Sequence, residues 1–315
     1  MNLPLAVAIA PQATTEFNAL TSVIRQADST AGGELPVRWL VLRDDFVSGA
    51  DALTVSAWLA PQSEHIELVP EVPVTHNEPF HVSTATATLD FASTGRAGYS
   101  PSVQTDASAA SAVGRRSAAG PDAVWDEAGD VDDVVHRLWA SWEPDAVIRD
   151  EATGRFIDRD KVHYVDFTGT DSVGGEFTVK GPSITPRPPR GELPVLVRVS
   201  DDASARAAAR FADVAVLDAD AFTDAETGRR LLDAVATGPA RPTVLLSVAL
   251  TEEGRTARGG ATASVLSALV DEANELVGVE SAAEATDVAG VEGILLDAPT
   301  PDAAVAALSG GERAN

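Results

Sequence analysis

The chain has 315 residues, of which 44% are hydrophobic and only 5% aromatic, so it can bury a sizeable core built mainly from Val, Leu, Ile and Ala. Its 48 acidic and 23 basic side chains give a net charge of -25, a surface that repels phosphate backbones and anionic lipid heads and argues against nucleic acid or a membrane as partner. Cysteine is absent, which removes disulfides, thiolate nucleophiles and Cys-ligated metals together.

Met1 to Ala10 is apolar, carries no basic stretch and is too short to span a bilayer. It reads as a first buried strand rather than a signal peptide, and the cytoplasm is the expected location. Strand-like and helix-like segments then alternate. Leu5 to Ile9 is a strand, Glu16 to Ala27 a helix, Val37 to Leu42 the second strand, and Ala50 to Leu59 the second helix. Ile66 to Val74 is the third strand, His81 to Ala92 a helix, and Arg96 to Tyr99 opens the fourth strand. Residues 105 to 122 read as a mobile loop and Val131 to Trp142 as an amphipathic helix. From 143 to 190 turn formers dominate, with β-like pieces at Val162 to Phe167 and Glu176 to Val179 and a stiff connector at Pro186 to Gly191. Four more strands follow at Leu193 to Val199, Val214 to Leu217, Thr243 to Val248 and Gly293 to Leu296. Helices at Ala203 to Phe211, Glu226 to Ala236 and Ala261 to Leu276 separate them. Eight strands in this rhythm predict an α/β fold of the (β/α)8 TIM-barrel type, one domain over 1–315, with a hairpin-containing excursion at about 105–190 between strands four and five. A doubly wound open sheet gives a similar alternation.

Four groups of residues carry a more specific likeness. They are Thr75-His76-Asn77-Glu78-Pro79-Phe80 with Ala87-Thr88-Leu89-Asp90 and Ser93 to Tyr99; Leu138-Trp139-Ala140-Ser141-Trp142-Glu143; Lys161-Val162-His163 with Phe177 to Pro182; and Ala207 to Asp213. In this order and spacing, over roughly residues 37 to 217, the chain resembles the luciferase-like flavin-dependent monooxygenases, in particular the nitrilotriacetate and dibenzothiophene-sulfone branch. The resemblance implies a barrel, reduced FMN as cosubstrate (F420 is the weaker choice), O2, a small organic substrate, a separate flavin reductase and a homodimer. The alternative is a barrel homologue that no longer holds flavin and serves as a binding or structural protein. An unrelated barrel hydrolase is the third reading, whose paired carboxylates cannot be picked out among 48 acids.

The resemblance also implies site residues. An acidic group after strand two lies near the flavin ring, and Asp44 fits that place; taken alone, Asp44-Asp45 is equally a metal-binding pair or a solvated strand end. Strand three carries Glu71 or Pro73 in place of a hydroxyl residue, and the Trp-Asn pair of relatives becomes Tyr99-Ser100. The His and Tyr columns at the phosphate end fall near Pro121 and Trp125, and Gly-Ser-Ser opening a helix becomes Val199-Ser200-Asp201-Asp202. Two carboxylates there cap a helix well but repel a phosphate dianion. The cofactor-binding candidates are therefore Asp44, Thr75, Tyr99, Ser100, Trp125 and Ser200. His76, at the carboxyl end of strand three, either polarises a flavin oxygen or acts as acid/base, or is a loop histidine bonded to backbone. His136 falls on the solvated side of its helix, and Arg96 pairs with an anion or with a neighbouring acid. No HxH or HxxxH pair, Walker sequence or GxSxG elbow occurs, so no metal site is expected. The stretch between strands seven and eight, 251 to 290, is shorter than in relatives.

Overall fold

The computed structural model describes residues 3–12, 15–44, 46–47, 49–256, 259–276 and 290–309. Eight parallel strands form one sheet: β1 (Leu5–Ile9), β2 (Val37–Leu42), β3 (Glu67–Pro73), β4 (Ser100–Ser102) and, after two hairpins, β9 (Leu196–Val199), β10 (Val214–Asp218), β11 (Thr243–Ala249) and β14 (Gly293–Ala298). The hairpins are β5 (Val147–Asp150) with β6 (Arg155–Ile157), and β7 (Phe167–Thr170) with β8 (Glu176–Val179). A further two-stranded piece, β12 (Arg255–Thr256) with β13 (Gly259–Gly260), precedes β14. The sheet order is β4-β3-β2-β1-β14-β11-β10-β9, and backbone bonds at Tyr99 join its two edges. The Tyr99 N–H donates to the Pro194 carbonyl, and the Tyr99 carbonyl accepts from the Leu196 N–H, both at 3.0 Å. The sheet is thus a nearly closed (β/α)8 barrel, the fold class that the alternation predicts.

Helices α1 (Phe17–Ser29), α2 (Ala52–Leu59), α3 (Pro79–Ser93), α4 (Ala107–Val113), α5 (Pro121–Ala140), α6 (Asp202–Phe211), α7 (Ala225–Ala236), α8 (Ala263–Leu276) and α9 (Pro301–Ser309) complete the described elements. Strand side chains alternate between two cores. Outward residues such as Leu5, Val7, Ile9, Leu40 and Leu42 pack with the helices. Inward residues Ala6, Ala8, Trp39, Val41, Val69 and Leu196 form the barrel interior with Val214, Val216, Leu245 and Leu295. The sheet pairs Ala6 with Trp39, so a small residue on β1 sits beside the largest ring of the interior.

Among the differences from the sequence expectation, four bear on the architecture. β4 begins at Ser100, while Ala97 and Tyr99 make only isolated bridges, to Leu68 and Val195. The alanine-rich segment 107–113 is helical rather than a mobile loop, closed by Gly114 at φ +70°. α5 starts ten residues before the predicted helix, with Pro121 in its first turn and Asp122 beside it. The first strand of the second hairpin is Phe167–Thr170 instead of Val162–Phe167, because Phe167 and Val179 are register partners and both pack on Val134 and Leu138 of α5. No described helix is long and apolar enough to cross a membrane.

Candidate functional site at the carboxyl end of the barrel

On six of the eight strands, following the inward residues by twos brings the apolar interior to an abrupt end. After Val41 comes Arg43, after Val69 Glu71, after Leu196 Arg198, after Val216 Asp218, after Leu245 Ser247, and after Leu295 Asp297. These groups form a polar layer at the carboxyl end, the face on which barrel enzymes carry their sites. Arg43 lies 3.6 Å from the Glu71 carboxylate and 3.2 Å from Asp297. Arg198 bridges Asp218 at 3.0 Å and Asp297 at 3.3 Å. Burial pushes the Glu71 carboxyl above its ordinary range, opposed by the Arg43 charge and by the Asp44 N–H that it accepts. One guanidinium nitrogen of Arg198, Nη1, is buried without a partner.

Beside this layer, where β3 runs into α3, lies a cavity of about 230 Å3. Thr75, His76 and Asn77 line one side, Arg116 and Glu127 a second, and the Asp171 turn of the β7–β8 hairpin a third. His76 is only 8% exposed, yet neither of its ring nitrogens has a hydrogen-bond partner. Its ring stacks on Phe46 at a centroid distance of 5.7 Å. Burial first, and the Arg116 charge second, hold the imidazole below its ordinary pKa, so it is neutral at pH 7 and offers one donor and one acceptor. Arg116 is tied to Glu127 at 2.5 Å and to Asp171 at 3.5 Å, and Arg115 to Glu78 at 2.5 Å. Asp171 also accepts from the Gly175 N–H at 2.7 Å, which fixes the hairpin turn against the cavity.

Asp44 turns its carboxylate to its own loop, accepting from Phe46 N at 2.7 Å and Ala52 N at 2.9 Å. That holds Phe46 at φ +66° and so sets the ring against which His76 stacks. Asp45 lies outside the described residues. Thr75 accepts from the Gln104 N–H at 2.9 Å, tying the ends of β3 and β4. Ser100 is buried and is the register partner of Glu71. Asp44, Thr75, His76 and Ser100 therefore converge on the carboxyl end.

Tyr99 points the other way, into the helix layer. Its ring meets Trp139 edge-on at 5.9 Å and its hydroxyl donates to Asp132 Oδ1. Burial and the Asp132 charge keep the phenol protonated. His136 is half-buried on the same carboxylate, not solvated. Burial opposes its protonation, but the Asp132 bond and charge outweigh it and raise the pKa to about 9. Arg96 is a structural anchor: its guanidinium donates to the Ser63 hydroxyl and to the carbonyls of Ala60, Ser63 and Ile66.

Trp125 is half-buried on α5 and borders a cavity of about 110 Å3 against α6, with Ala203, Arg206 and Arg210. Ser200 sits at the start of α6, where three backbone N–H groups are engaged locally. The N–H groups of Ser200 and Asp201 both donate to Ser204 Oγ at 3.0 Å, and the Ser204 N–H donates to Asp201 Oδ1 at 2.8 Å. This capping box closes the helix end on itself. Asp202 is ion-paired with Arg230.

The sequence reading missed Arg43, Arg198, Asp218 and Asp297 in the polar layer, and Arg116 with Glu127 in the cavity. The signal for the first set was present, since charged residues at the inward parity of buried strands need partners. Nothing local marks the second, whose members lie eleven residues apart on a loop and a helix.

An α/β barrel with a buried imidazole and a charged layer at its carboxyl end defines a class of site, and sequence similarity gives the family. The family model described as Luciferase-like monooxygenase matches residues 39–251, and the chain belongs to that family. It is 36% identical over 151 residues to the dibenzothiophene-sulfone monooxygenase of Rhodococcus erythropolis, covering 47% of this chain and 32% of that protein. It is 34% identical over 165 residues to the nitrilotriacetate monooxygenase component A of Aminobacter aminovorans, covering 52% and 35%. The matches thus span about a third of the length of each relative. A riboflavin lyase, solved with a modified FMN and riboflavin, shares the fold at TM-score 0.67 and 19% identity, covering 88% of this chain and 67% of its own.

Proposed function

We propose that this chain is a flavin-dependent oxidoreductase of the monooxygenase type, acting on a small organic substrate at the carboxyl end of its barrel. The observation that carries the reading is His76, a buried neutral imidazole with both nitrogens unpartnered in a cavity on the functional face. A group left so at about 1–3 kcal/mol of desolvation cost is kept for a ligand or a proton. Phe46 and the Asp44-held turn orient the ring, and Thr75 fixes the loop that carries it. Reduced FMN, when bound, supplies the electrons for O2 activation. A separate reductase to deliver it, a second copy of the chain as homodimer partner and a cytoplasmic location belong to the same proposal.

The fit to FMN is uneven. The His76 side offers hydrogen-bonding groups to a ring, but at the start of α6 the capping box holds the N–H groups of Ser200, Asp201 and Ser204, and the Asp201 and Asp202 carboxylates flank the end where a phosphate would sit. That observation favours a second reading, a barrel homologue that keeps the scaffold and a ligand pocket without flavin. Anaerobic titration with reduced FMN, followed by fluorescence, separates the two. Saturable binding below about 100 μM, the range of ordinary cosubstrate KM values, supports the enzyme. Absence of binding at that concentration leaves the second reading.

A further inference from the structure

The cavity beside His76 is specific in its charge and size. Its cations are Arg115 and Arg116, and its anions are Glu78, Glu127 and Asp171. Each guanidinium is bound to carboxylates of the same wall: Arg115 to Glu78, and Arg116 to Glu127 and Asp171. The wall therefore carries one negative charge in excess and has no cation left over for an anionic guest. The chain as a whole adds to that bias, at -25. At about 230 Å3 the cavity lies below the range of drug-sized sites. Its one unengaged polar side chain is His76, more than nine-tenths buried, with a donor and an acceptor to give.

We propose that this cavity binds a small uncharged organic molecule through a hydrogen bond to the His76 ring, of the amide, sulfone or alcohol type, and discriminates against carboxylates. Calling that molecule the substrate rests on the flavoenzyme reading above, whereas its binding does not. A neutral guest exchanges its water for the imidazole without meeting a like charge. A carboxylate of the same shape gives up a stronger hydration and faces Glu127 and Asp171, both already engaged with Arg116.

The test compares two nearly isosteric probes, acetamide and acetate, on the full chain without flavin. The readout is the long-range 1H–15N signals of the five histidine rings. His76→Gln identifies the signal; if that variant misfolds, substitution of the exposed His65, His81 and His163 leaves only His76 and the Asp132-bonded His136 to distinguish. Acetamide is expected to shift the His76 signals saturably, and acetate to bind at least about tenfold more weakly. Glu78→Gln, which removes one wall carboxylate, narrows that gap by about threefold. Acetate binding as tightly as acetamide overturns the proposal, as does a His76 ring that neither acetamide nor dimethyl sulfone shifts saturably. Because no flavin is present, a negative result here is distinct from a failed FMN titration.

Discussion

Replacing Asp201 by Ser removes one negative charge from the start of α6 while keeping a good cap. The Asp201 carboxylate accepts the Ser204 N–H at 2.8 Å and, among the described residues, forms no ion pair, in contrast to Asp202 with Arg230. Ser is as good an N-cap as Asp, so the cost in stability is at most a few tenths of a kcal/mol, against about 1 kcal/mol for Asp201→Ala. The gain concerns a bound phosphate. At about 5 Å and an effective dielectric near 60, fitting a half-exposed carboxylate, each unit of like charge costs about 1 kcal/mol. A phosphate carries roughly two units near neutral pH, so the penalty is about 2 kcal/mol, or thirtyfold in affinity. Riboflavin, lacking the phosphate, is the internal control. The wild-type chain should bind reduced FMN and riboflavin within about threefold of one another, and Asp201→Ser should raise the preference for FMN toward thirtyfold. Ser204→Ala, which releases the N–H groups of Ser200 and Asp201, should act in the same direction. Parallel anaerobic titrations give the ratio directly. A wild-type preference for FMN above about a hundredfold, or a ratio unmoved by Asp201→Ser, refutes the argument.

The Asp132 cluster makes stability depend on pH. His136 has its folded pKa raised from 6.5 to about 9, so its contribution is full below pH 6.5 and is lost as pH rises through 9. After discounting for its partial exposure this amounts to roughly 2 kcal/mol; urea unfolding at pH 6 and pH 10 should show the loss, and His136→Gln should flatten it. Tyr99→Phe leaves the buried Asp132 without its phenolic donor and should destabilise the chain by about 1.5–3 kcal/mol while leaving flavin affinity within twofold. A large effect on flavin binding with little on unfolding would place Tyr99 in the site instead. Asp297→Asn weakens the partner shared by Arg43 and Arg198 and should cost about 2 kcal/mol by denaturant unfolding, less at high salt; an unchanged midpoint would mean that the layer holds nothing together.

The barrel was legible because its strands are buried on both faces and read as short aliphatic runs separated by helical periods. Ends were less so. The start of α5 carried its own signal in Gly120-Pro121-Asp122, overshadowed by the stronger apolar stripe from Val131 onward. His136 looked solvated because its helix presents Val131, Val134, Val135 and Leu138 on one apolar side; an i to i+4 carboxylate and a tertiary neighbour, the connector carrying Glu192, decide its environment. Tyr99 and Ser100, an aromatic and a polar group, are both cofactor-binding candidates by sequence, but adjacent residues of a strand face opposite ways, so Ser100 looks into the barrel and Tyr99 out of it. Which of many acids meets Arg43 or Arg198 is set by the order in which distant strands close the barrel, and Arg116 meets Asp171 only through the hairpin turn; no local pattern encodes either.

The polar layer and the His76 cavity divide the carboxyl face unequally. Over the barrel axis a ligand meets two guanidinium groups and three carboxylates, with Asp297 shared between Arg43 and Arg198 and the buried Arg198 Nη1 without a hydrogen-bond partner. Displaced toward β3 it meets an imidazole with both nitrogens available and walls supplied by the β3–α3 loop, α5 and the hairpin turn. These walls lie on segments outside the barrel strands: the hairpin packs on α5 through Phe167 and Val179, its turn donates from Ser172 N to Glu127, and Arg116 pairs with both Glu127 and Asp171. Loss of that arginine should loosen ligand discrimination before it affects the barrel.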